Sequence, residues 1–335
     1  AAPKGLTMLK FIVRRVAILI PLLFFVSIVS FAVIQLPPGS FVDSYVRNLE
    51  LQGGTVNVAQ KAALEKQYGL DQPMLGQYGI WISKIILHGD FGNSFRYQRP
   101  VASLLAERVP RTIALSLASI LLTWIIAVPI GILSALKKYS IWDYFFTFLS
   151  FLGLSIPAFL LALVLMYVVF SRTGFIITGL FSTQYRDAAW SLAKFGDLLK
   201  NIWLPLVVLS VTSAAGIIRI LRASLLDELK KQYVTTARAK GLPEWRVILQ
   251  YPVRIAINPL ISTIGWMLPA VVGGELVVSK VLNIPTVGPM ILEATLGQDM
   301  YLAGGFVLIL CSLTIIGTLV SDILLAWTDP RIRFE

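Results

Sequence analysis

Residues 112–136, TIALSLASILLTWIIAVPIGILSAL, form an unbroken run of 25 residues without a charged side chain. A helix that crosses a bilayer needs about 20 mostly apolar residues, because each residue advances about 1.5 Å through roughly 30 Å of hydrocarbon. The run is therefore long enough to span a membrane. One such run is also compatible with a buried core helix, so the rest of the chain has to decide between the two.

Six runs of this kind occur in the 335 residues, which makes six buried core helices an unsatisfactory explanation. The chain is 56% hydrophobic and 14% charged, whereas a soluble domain is about 45–50% apolar and roughly 25% charged. We therefore predict an all-α polytopic membrane protein rather than a soluble enzyme or a disordered chain. The predicted transmembrane helices are residues 16–36, 112–136, 144–171, 201–221, 255–274 and 300–327.

The first predicted span follows Lys10, Arg14 and Arg15, a basic start that is also typical of secretory signal peptides. Its apolar part, residues 16–36, is longer than the roughly 7–15 residues of a signal core and lacks a small-residue cleavage site. We therefore expect it to be retained as a membrane anchor.

The charges of the connecting segments predict the orientation. With the amino end in the cytoplasm, the inner segments, together with Arg219 at the inner end of the fourth span, contain 16 Lys and Arg against 6 Asp and Glu, and the outer segments contain 13 against 11. A basic excess marks the cytoplasmic side, so both termini, residues 1–15 and 328–335, are expected there. The net charge of +11 is explained by topology and membrane lipid, and it requires no nucleic acid.

The predicted extracytoplasmic segments are residues 37–111, 172–200 and 275–299. The first is the longest, with predicted helices at Val58–Tyr68, Leu75–Leu87 and Val101–Glu107. It is too short and too interrupted for an independent enzyme, so we interpret it as a cap over the outer mouth of a membrane bundle.

The inner segment 222–254 has the pattern of a helix, a glycine turn and a short second helix. Gly241 provides the stop, and Pro243 is a favoured first-turn residue of the second helix. Two interpretations stay open on this evidence: a basic hairpin lying on anionic headgroups, or a docking element whose apolar residues enter a partner's groove. Those apolar residues are Leu242, Trp245, Ile248 and Leu249.

Residues 233–254, YVTTARAKGLPEWRVILQYPVR, resemble the cytoplasmic coupling loop of ABC-importer permeases of the dipeptide/oligopeptide/nickel family. Three further stretches carry the resemblance along the chain: GLDQP at 69–73, GDFGNSF at 89–95 and DPRIR at 329–333. The long segment after the first span resembles the B-type permease of these importers.

The resemblance implies a type I importer fold in a bacterial inner membrane. It implies four partners: a related C-type permease, two cytoplasmic ATPase subunits and an extracytoplasmic substrate-binding protein. No glycine of this chain is followed by lysine, so the phosphate-binding pattern GxxxxGK[ST] is absent. We therefore expect a non-catalytic chain that binds no cofactor itself, with ATP and Mg²⁺ bound by the partner ATPases.

The resemblance also implies functional residues. Gly241 would permit a sharp turn, Leu242 and Trp245 would enter the ATPase groove, and Arg238 and Glu244 would pair with its rim. The residues implied in coupling are Ala237, Arg238, Gly241, Leu242, Glu244 and Trp245. The candidates for the outer gate after the fifth span are Gly273, Gly274, Glu275 and Ser279. Close helix packing is the alternative for the two glycines, and a solvated helix-end carboxylate is the alternative for Glu275.

Peptides are the cargo that the resemblance implies, with oligosaccharides, opine-like compounds and nickel chelates as alternatives. Nickel fits least well, since the chain has one histidine, His88, and one cysteine, Cys311. A secondary transporter coupled to ions needs charged groups near the bilayer midplane, whereas the charged residues within the six predicted spans, Arg219 and Asp322, lie near the inner ends of their spans. A membrane-embedded enzyme is disfavoured because the chain has no HExxH motif.

Overall fold

The computed structural model describes residues 4–35, 46, 50, 61–63, 66, 72–94 and 96–328, and for residues 4–9, 11, 265–274 and 328 it describes the backbone only. Most of the predicted helix Val58–Tyr68 lies outside the described residues. The carboxyl-terminal DPRIR stretch also lies outside them.

The described part of the chain is mostly helical. Its helices are α1 (Lys4–Gln35), α2 (Met74–His88), α3 (Val101–Leu136), α4 (Ile141–Ser155), α5 (Ala158–Thr173), α6 (Leu192–Glu228), α7 (Gln232–Ala239), α8 (Glu244–Gln250), α9 (Pro252–Ala256), α10 (Asn258–Val281), α11 (Val287–Leu296) and α12 (Met300–Thr328). Between α2 and α3, two short antiparallel strands pair, β1 (Asn93–Ser94) and β2 (Arg99–Pro100). A 3₁₀ turn, Thr183–Tyr185, precedes α6.

Four helical stretches among the described residues are long and apolar enough to cross a membrane: Ile12–Gln35, Val101–Leu136, Leu192–Glu228 and Met300–Trp327. Two pairs of helices pass the same test together but are bent. The pair Ile141–Ser155 and Ala158–Thr173 is bent by 103°, and the pair Glu244–Ala256 and Asn258–Ile264 by 41°. The described residues therefore contain four candidate spans, or six if each bent pair counts as one.

The structure corrects the single helix predicted over residues 144–171. Two helices, α4 and α5, occupy this stretch, and the chain breaks between them at Ile156 and Pro157. Proline has no N–H for the helical ladder and disfavours helical backbone in the residue before it, and Ile156 is accordingly extended, with φ −87° and ψ 120°.

Several helices extend beyond the ends at which charged residues led us to place them. The helix predicted over 201–221 runs from Leu192 to Glu228, and the helix predicted over 255–274 continues to Val281. A charged side chain does not end a helix when its stem lies along apolar neighbours and its head reaches water or a hydrogen-bond partner.

The described residues fall into two compact units. The first comprises the described parts of residues 1–13, 113–285 and 316–335. Within it α6 is central, packing against α4, α5, α9 and α10, and its buried side chains include Leu204, Val208 and Leu221. This unit carries every predicted coupling and gate residue.

The second unit comprises the described parts of residues 14–112 and 286–315. Asp299, fully buried, connects its turn region to the start of α12. The carboxylate accepts hydrogen bonds from the hydroxyl of Ser94, the backbone N–H of Arg96 at 3.3 Å and that of Leu302 at 3.4 Å. Asp299 therefore caps α12 and ties the strand pair to it.

Candidate functional site

Helices α7 and α8 form a hairpin, residues 232–250, that follows α6 after three residues. Gly241 in its turn has a φ of +73°, a left-handed conformation that glycine adopts without steric cost. The structure thus contains the helix, glycine turn and short helix that the sequence predicts. It differs in one detail, because Pro243 precedes α8 as its N-cap, where its carbonyl accepts from the N–H groups of Arg246 and Val247.

The inner side of the hairpin is a small apolar core. Val234, Ala237 and Val247 are buried together, and Tyr233 and Leu242 pack partly against them. Two residues implied in coupling therefore contribute to the hairpin's own packing: Ala237 wholly and Leu242 in part. Their surroundings indicate that they shape the hairpin.

The face of α8 that points away from the hairpin core has exposed apolar side chains. Trp245 is 60% exposed and Leu249 is 51% exposed, and they lie four residues apart on one face of the helix. The guanidinium of Arg246 lies 5.3 Å from the centre of the Trp245 ring. Ile248, by contrast, packs into the helical core formed around α3 and α6.

Arg238 and Glu244 bond to each other across the turn rather than standing free for a partner's rim. The guanidinium of Arg238 donates to the Glu244 carboxylate at 2.6 Å from Nη2 and 3.1 Å from Nε. These hydrogen bonds lower the pKa of Glu244 below its ordinary value. The pair therefore stays charged at neutral pH and closes the hairpin with a bidentate contact.

Tyr233 joins the hairpin to the end of α6. Its hydroxyl donates a hydrogen bond to the Glu228 carboxylate, while its ring packs against the hairpin core. Burial, and then the neighbouring Glu228, raise the pKa of Tyr233 above its ordinary value. Sequence reasoning missed this contact, although the i,i+5 spacing across a helix end is the signal that points to it.

The predicted gate residues lie inside α10, whereas the sequence placed them at or beyond a helix end. Glu275 is 1% exposed, so the alternative of a solvated helix-end carboxylate is wrong. Its carboxylate accepts from the hydroxyls of Ser116 on α3, at 3.4 Å, and Ser279, at 3.5 Å. Gly273 and Gly274 precede it within the same helix. Glutamate is a good helix former, so the helix continues through Glu275, and the two hydroxyl donors offset part of the cost of burying its carboxylate. A charged residue therefore did not mark the end of this helix.

A second contact that the sequence did not predict joins Asp143 on α4 to Arg222 on α6. The guanidinium donates from Nε to one carboxylate oxygen at 2.8 Å and from Nη2 to the other at 2.7 Å. The signal available in the sequence is slight: Asp143 is the one acid in the short segment 137–143, three residues after the N-cap Ser140. Among the described residues, no three His, Cys, Asp or Glu side chains converge as a metal site.

Two family models match the chain. The model of the binding-protein-dependent transport system inner membrane component matches residues 127–334, and the model of the amino-terminal part of such membrane components matches residues 8–116. The first match includes the hairpin, Glu275 and the Asp143–Arg222 pair.

Curated relatives match over nearly the whole length. The chain is 34% identical over 328 residues to the oligopeptide transport system permease protein AppB of Bacillus subtilis, covering 98% of this chain and 100% of that one. It is 34% identical over 327 residues to a putative peptide permease protein of Brucella suis, covering 97% and 99%. It is 33% identical over 329 residues to the oligopeptide transport system permease protein OppB of Salmonella typhimurium, covering 98% and 100%.

Proposed function

This chain belongs to the family of binding-protein-dependent transport system inner membrane components, and from that membership we propose that it forms half of a peptide-conducting pathway driven by ATP. Members of this family are permeases, which are non-catalytic membrane components. In the proposed assembly the chain is the B-type permease. Its partners are a C-type permease, two cytoplasmic ATPase subunits and an extracytoplasmic binding protein that delivers the cargo.

Peptide cargo is supported by the names of the relatives, which state oligopeptide or peptide transport and match over nearly their whole length. The chemistry of the chain agrees, because a nickel pathway would favour imidazole and thiolate ligands and the chain has one histidine and one cysteine. Oligosaccharides and opine-like compounds remain the alternatives that a test of cargo has to include.

The observation that carries the proposal is the exposed apolar face of α8, Trp245 and Leu249. An amphipathic helix docks by placing such a face in a hydrophobic groove. Burying one large apolar side chain contributes about 1.5–3 kcal/mol, so these two residues would contribute about 3–6 kcal/mol toward docking. The groove is assigned to a partner ATPase, since this chain has no phosphate-binding loop of its own and ATP and Mg²⁺ must be bound elsewhere.

We favour a protein groove over anionic headgroups because the two exposed side chains of this face, Trp245 and Leu249, are apolar. Headgroup binding relies on basic side chains that are available to phosphate. Arg238 is engaged by Glu244, whereas Lys240 and Arg246 are exposed beside the apolar face. The hairpin therefore presents an apolar surface bordered by charged side chains, a combination that matches a groove with a polar rim.

The proposed orientation follows from charge. The basic excess of the inner segments indicates that the hairpin and both termini face the cytoplasm, where the ATPases are. Movement of the ATPases would reach the membrane helices through α6, because the hairpin follows α6 directly and Tyr233 bonds back to Glu228.

Glu275 is proposed as part of the pathway, together with Ser279, Gly273 and Gly274 on the same helix. A carboxylate inside a membrane bundle is costly, and such groups commonly mark substrate paths. In this structure Glu275 is buried, and its carboxylate accepts hydrogen bonds from the hydroxyls of Ser116 and Ser279. We assign it to a gate whose opening separates α3 from α10.

The test uses the complete transporter in proteoliposomes, with ATP hydrolysis and peptide uptake measured together. Trp245→Ala should abolish the stimulation of hydrolysis by loaded binding protein, because the apolar anchor is lost. Trp190→Ala, an exposed tryptophan in the predicted outer segment, is the matched control and should behave as the unaltered protein. Full stimulation in Trp245→Ala, or uptake by the permease pair without ATPases, would overturn the proposal.

A further inference from the structure

Helices α4 and α6 pack along each other, and two of their contacts show the direction in which they run. Asp143, near the start of α4, bonds to Arg222 near the end of α6, and Gly153 near the end of α4 approaches the middle of α6. A Cβ at Gly153 would lie 3.4 Å from the carbonyl oxygen of Val211 and 3.6 Å from the Cβ of Ala215. The two helices therefore run antiparallel, with a close backbone contact at one end and an ion pair at the other.

The ion pair is a rigid attachment. The Asp143 side chain is 3% exposed, and one carboxylate oxygen accepts from the backbone N–H of Tyr139 at 2.9 Å as well as from Arg222. Tyr139 has a φ of +63°, a left-handed conformation that is uncommon for a bulky side chain and persists only where its surroundings hold it. The turn before α4 is thus fixed to α6 through one carboxylate.

Arg222 lies near the end of α6 that leads into the hairpin. Helix α6 continues for six residues to Glu228, which is a distance of about 9 Å at about 1.5 Å per residue. Glu228 then accepts the hydrogen bond from Tyr233 in the hairpin. An unbroken series of contacts therefore leads from α8 through α6 to α4.

We propose that Asp143 and Arg222 are positioning residues that make α4 move together with α6, so that displacement of the hairpin is transmitted to the bent α4–α5 segment. This inference rests on the proposed function, because a partner has to displace the hairpin. Without the ion pair, the start of α4 would be free to separate from α6, and a displacement of the hairpin would move α6 alone. Hydrolysis would continue while less of it led to transport.

The diagnostic measurement is the amount of peptide taken up per ATP hydrolysed by the complete transporter in proteoliposomes. In Asp143→Asn this ratio should fall about 2- to 30-fold, the range of coupling effects measured for single residues between sites. Arg222→Lys, which retains the charge without the planar fork, should lower the ratio less. Lys200→Gln is the matched control, since it removes one positive charge from α6 at an exposed residue near the other end of the helix, and it should keep the original ratio.

A pair that acts only in folding makes a different prediction, namely that hydrolysis and uptake fall in proportion with the amount of assembled transporter. An unchanged ratio in Asp143→Asn would overturn the inference, as would an equal loss in Lys200→Gln. Failure of Arg222→Lys to assemble would overturn it as well. Trp245→Ala measured in the same preparations separates the two proposals: if it abolishes stimulation while Asp143→Asn keeps the ratio, the proposed function stands and this inference fails.

Discussion

The guanidinium of Arg238 and the carboxylate of Glu244 face each other across the turn at Gly241, with Nη2 and the nearer oxygen 2.6 Å apart. The contact joins α7 to α8 while the apolar face of α8 stays exposed on the outside. The ion pair and the buried core of Val234, Ala237 and Val247 both join α7 to α8, so we expect the hairpin to move as one piece, as a coupling element needs.

Exchanging the charges of Arg238 and Glu244 tests whether their ion pair holds the two helices of the hairpin together. Glu244→Arg alone should place two positive charges together and weaken the stimulation of ATP hydrolysis by loaded binding protein. The double variant Arg238→Glu with Glu244→Arg should restore much of it, because the pair re-forms with opposite polarity. The pair is exposed, and exposed pairs contribute about 0–1 kcal/mol, so the effect on stability should be small. If the double variant is as impaired as the single one, each residue acts through a partner instead.

Substitution of Gly241 should act through the backbone alone. No atom lies within 4 Å of a Cβ built at this position, so added volume meets no neighbour, but the φ of +73° disfavours most side chains. Gly241→Val should reduce coupling and lower hairpin stability by about 1–2 kcal/mol, the cost of left-handed backbone. Gly241→Asn is the control, since asparagine tolerates this conformation. Stimulated ATPase rates reveal the difference, and equal rates in both variants would show that the turn is not held in this conformation.

Variants of Glu275 should separate the role of the carboxyl group from that of packing. Glu275→Gln keeps an acceptor oxygen for Ser116, so the transporter should assemble, yet uptake should fall because the carboxyl group is lost. Glu275→Ala leaves the buried hydroxyl of Ser116 without this acceptor, which costs about 1–3 kcal/mol, and should lower the thermal midpoint of the detergent-solubilised complex. Uptake by Glu275→Gln equal to that of the unaltered protein would remove Glu275 from the pathway.

The Asp143–Arg222 pair predicts a specific pH dependence of stability. Hydrogen bonding from Arg222 lowers the pKa of Asp143 in the folded protein, so the pair contributes fully above the unfolded value of about 3.9 and loses its contribution as pH falls through the lower folded value. The difference in thermal midpoint between the unaltered protein and Asp143→Asn should therefore be constant from pH 8 to about pH 5 and shrink in more acidic buffer. A difference that disappears between pH 7 and pH 5 would contradict the assignment.

Local patterns predicted much of the architecture. A run such as residues 112–136 has no alternative to a helix in a membrane, since every backbone group must bond within the segment. Gly241 and Pro243 likewise predicted the hairpin, because the preferences of glycine and proline for particular backbone angles are properties of single residues. Pro157 likewise favours a kink, but the angle of 103° between α4 and α5 depends on how these two helices pack.

Contacts between distant residues could not be predicted in this way. Asp143 and Arg222 are 79 residues apart, and Ser116 and Glu275 are 159 apart. A single sequence contains no signal that pairs one carboxylate with one particular donor among many. The same limitation explains why Arg238 and Glu244 were both expected at the rim of a partner although they bond to each other.

The amino-acid sequence by itself determined that this is a helical membrane protein with a hairpin that turns at a glycine, because hydropathy and backbone preference act over a few neighbouring residues. Only the tertiary structure decided that the Glu275 side chain is buried between α10 and α3, that Ala237 packs inside the hairpin, and that Asp143 on α4 bonds to Arg222 on α6. Those outcomes depend on which side chains come into contact when the helices pack. Such contacts join residues that are far apart in the sequence, so the local sequence does not encode them.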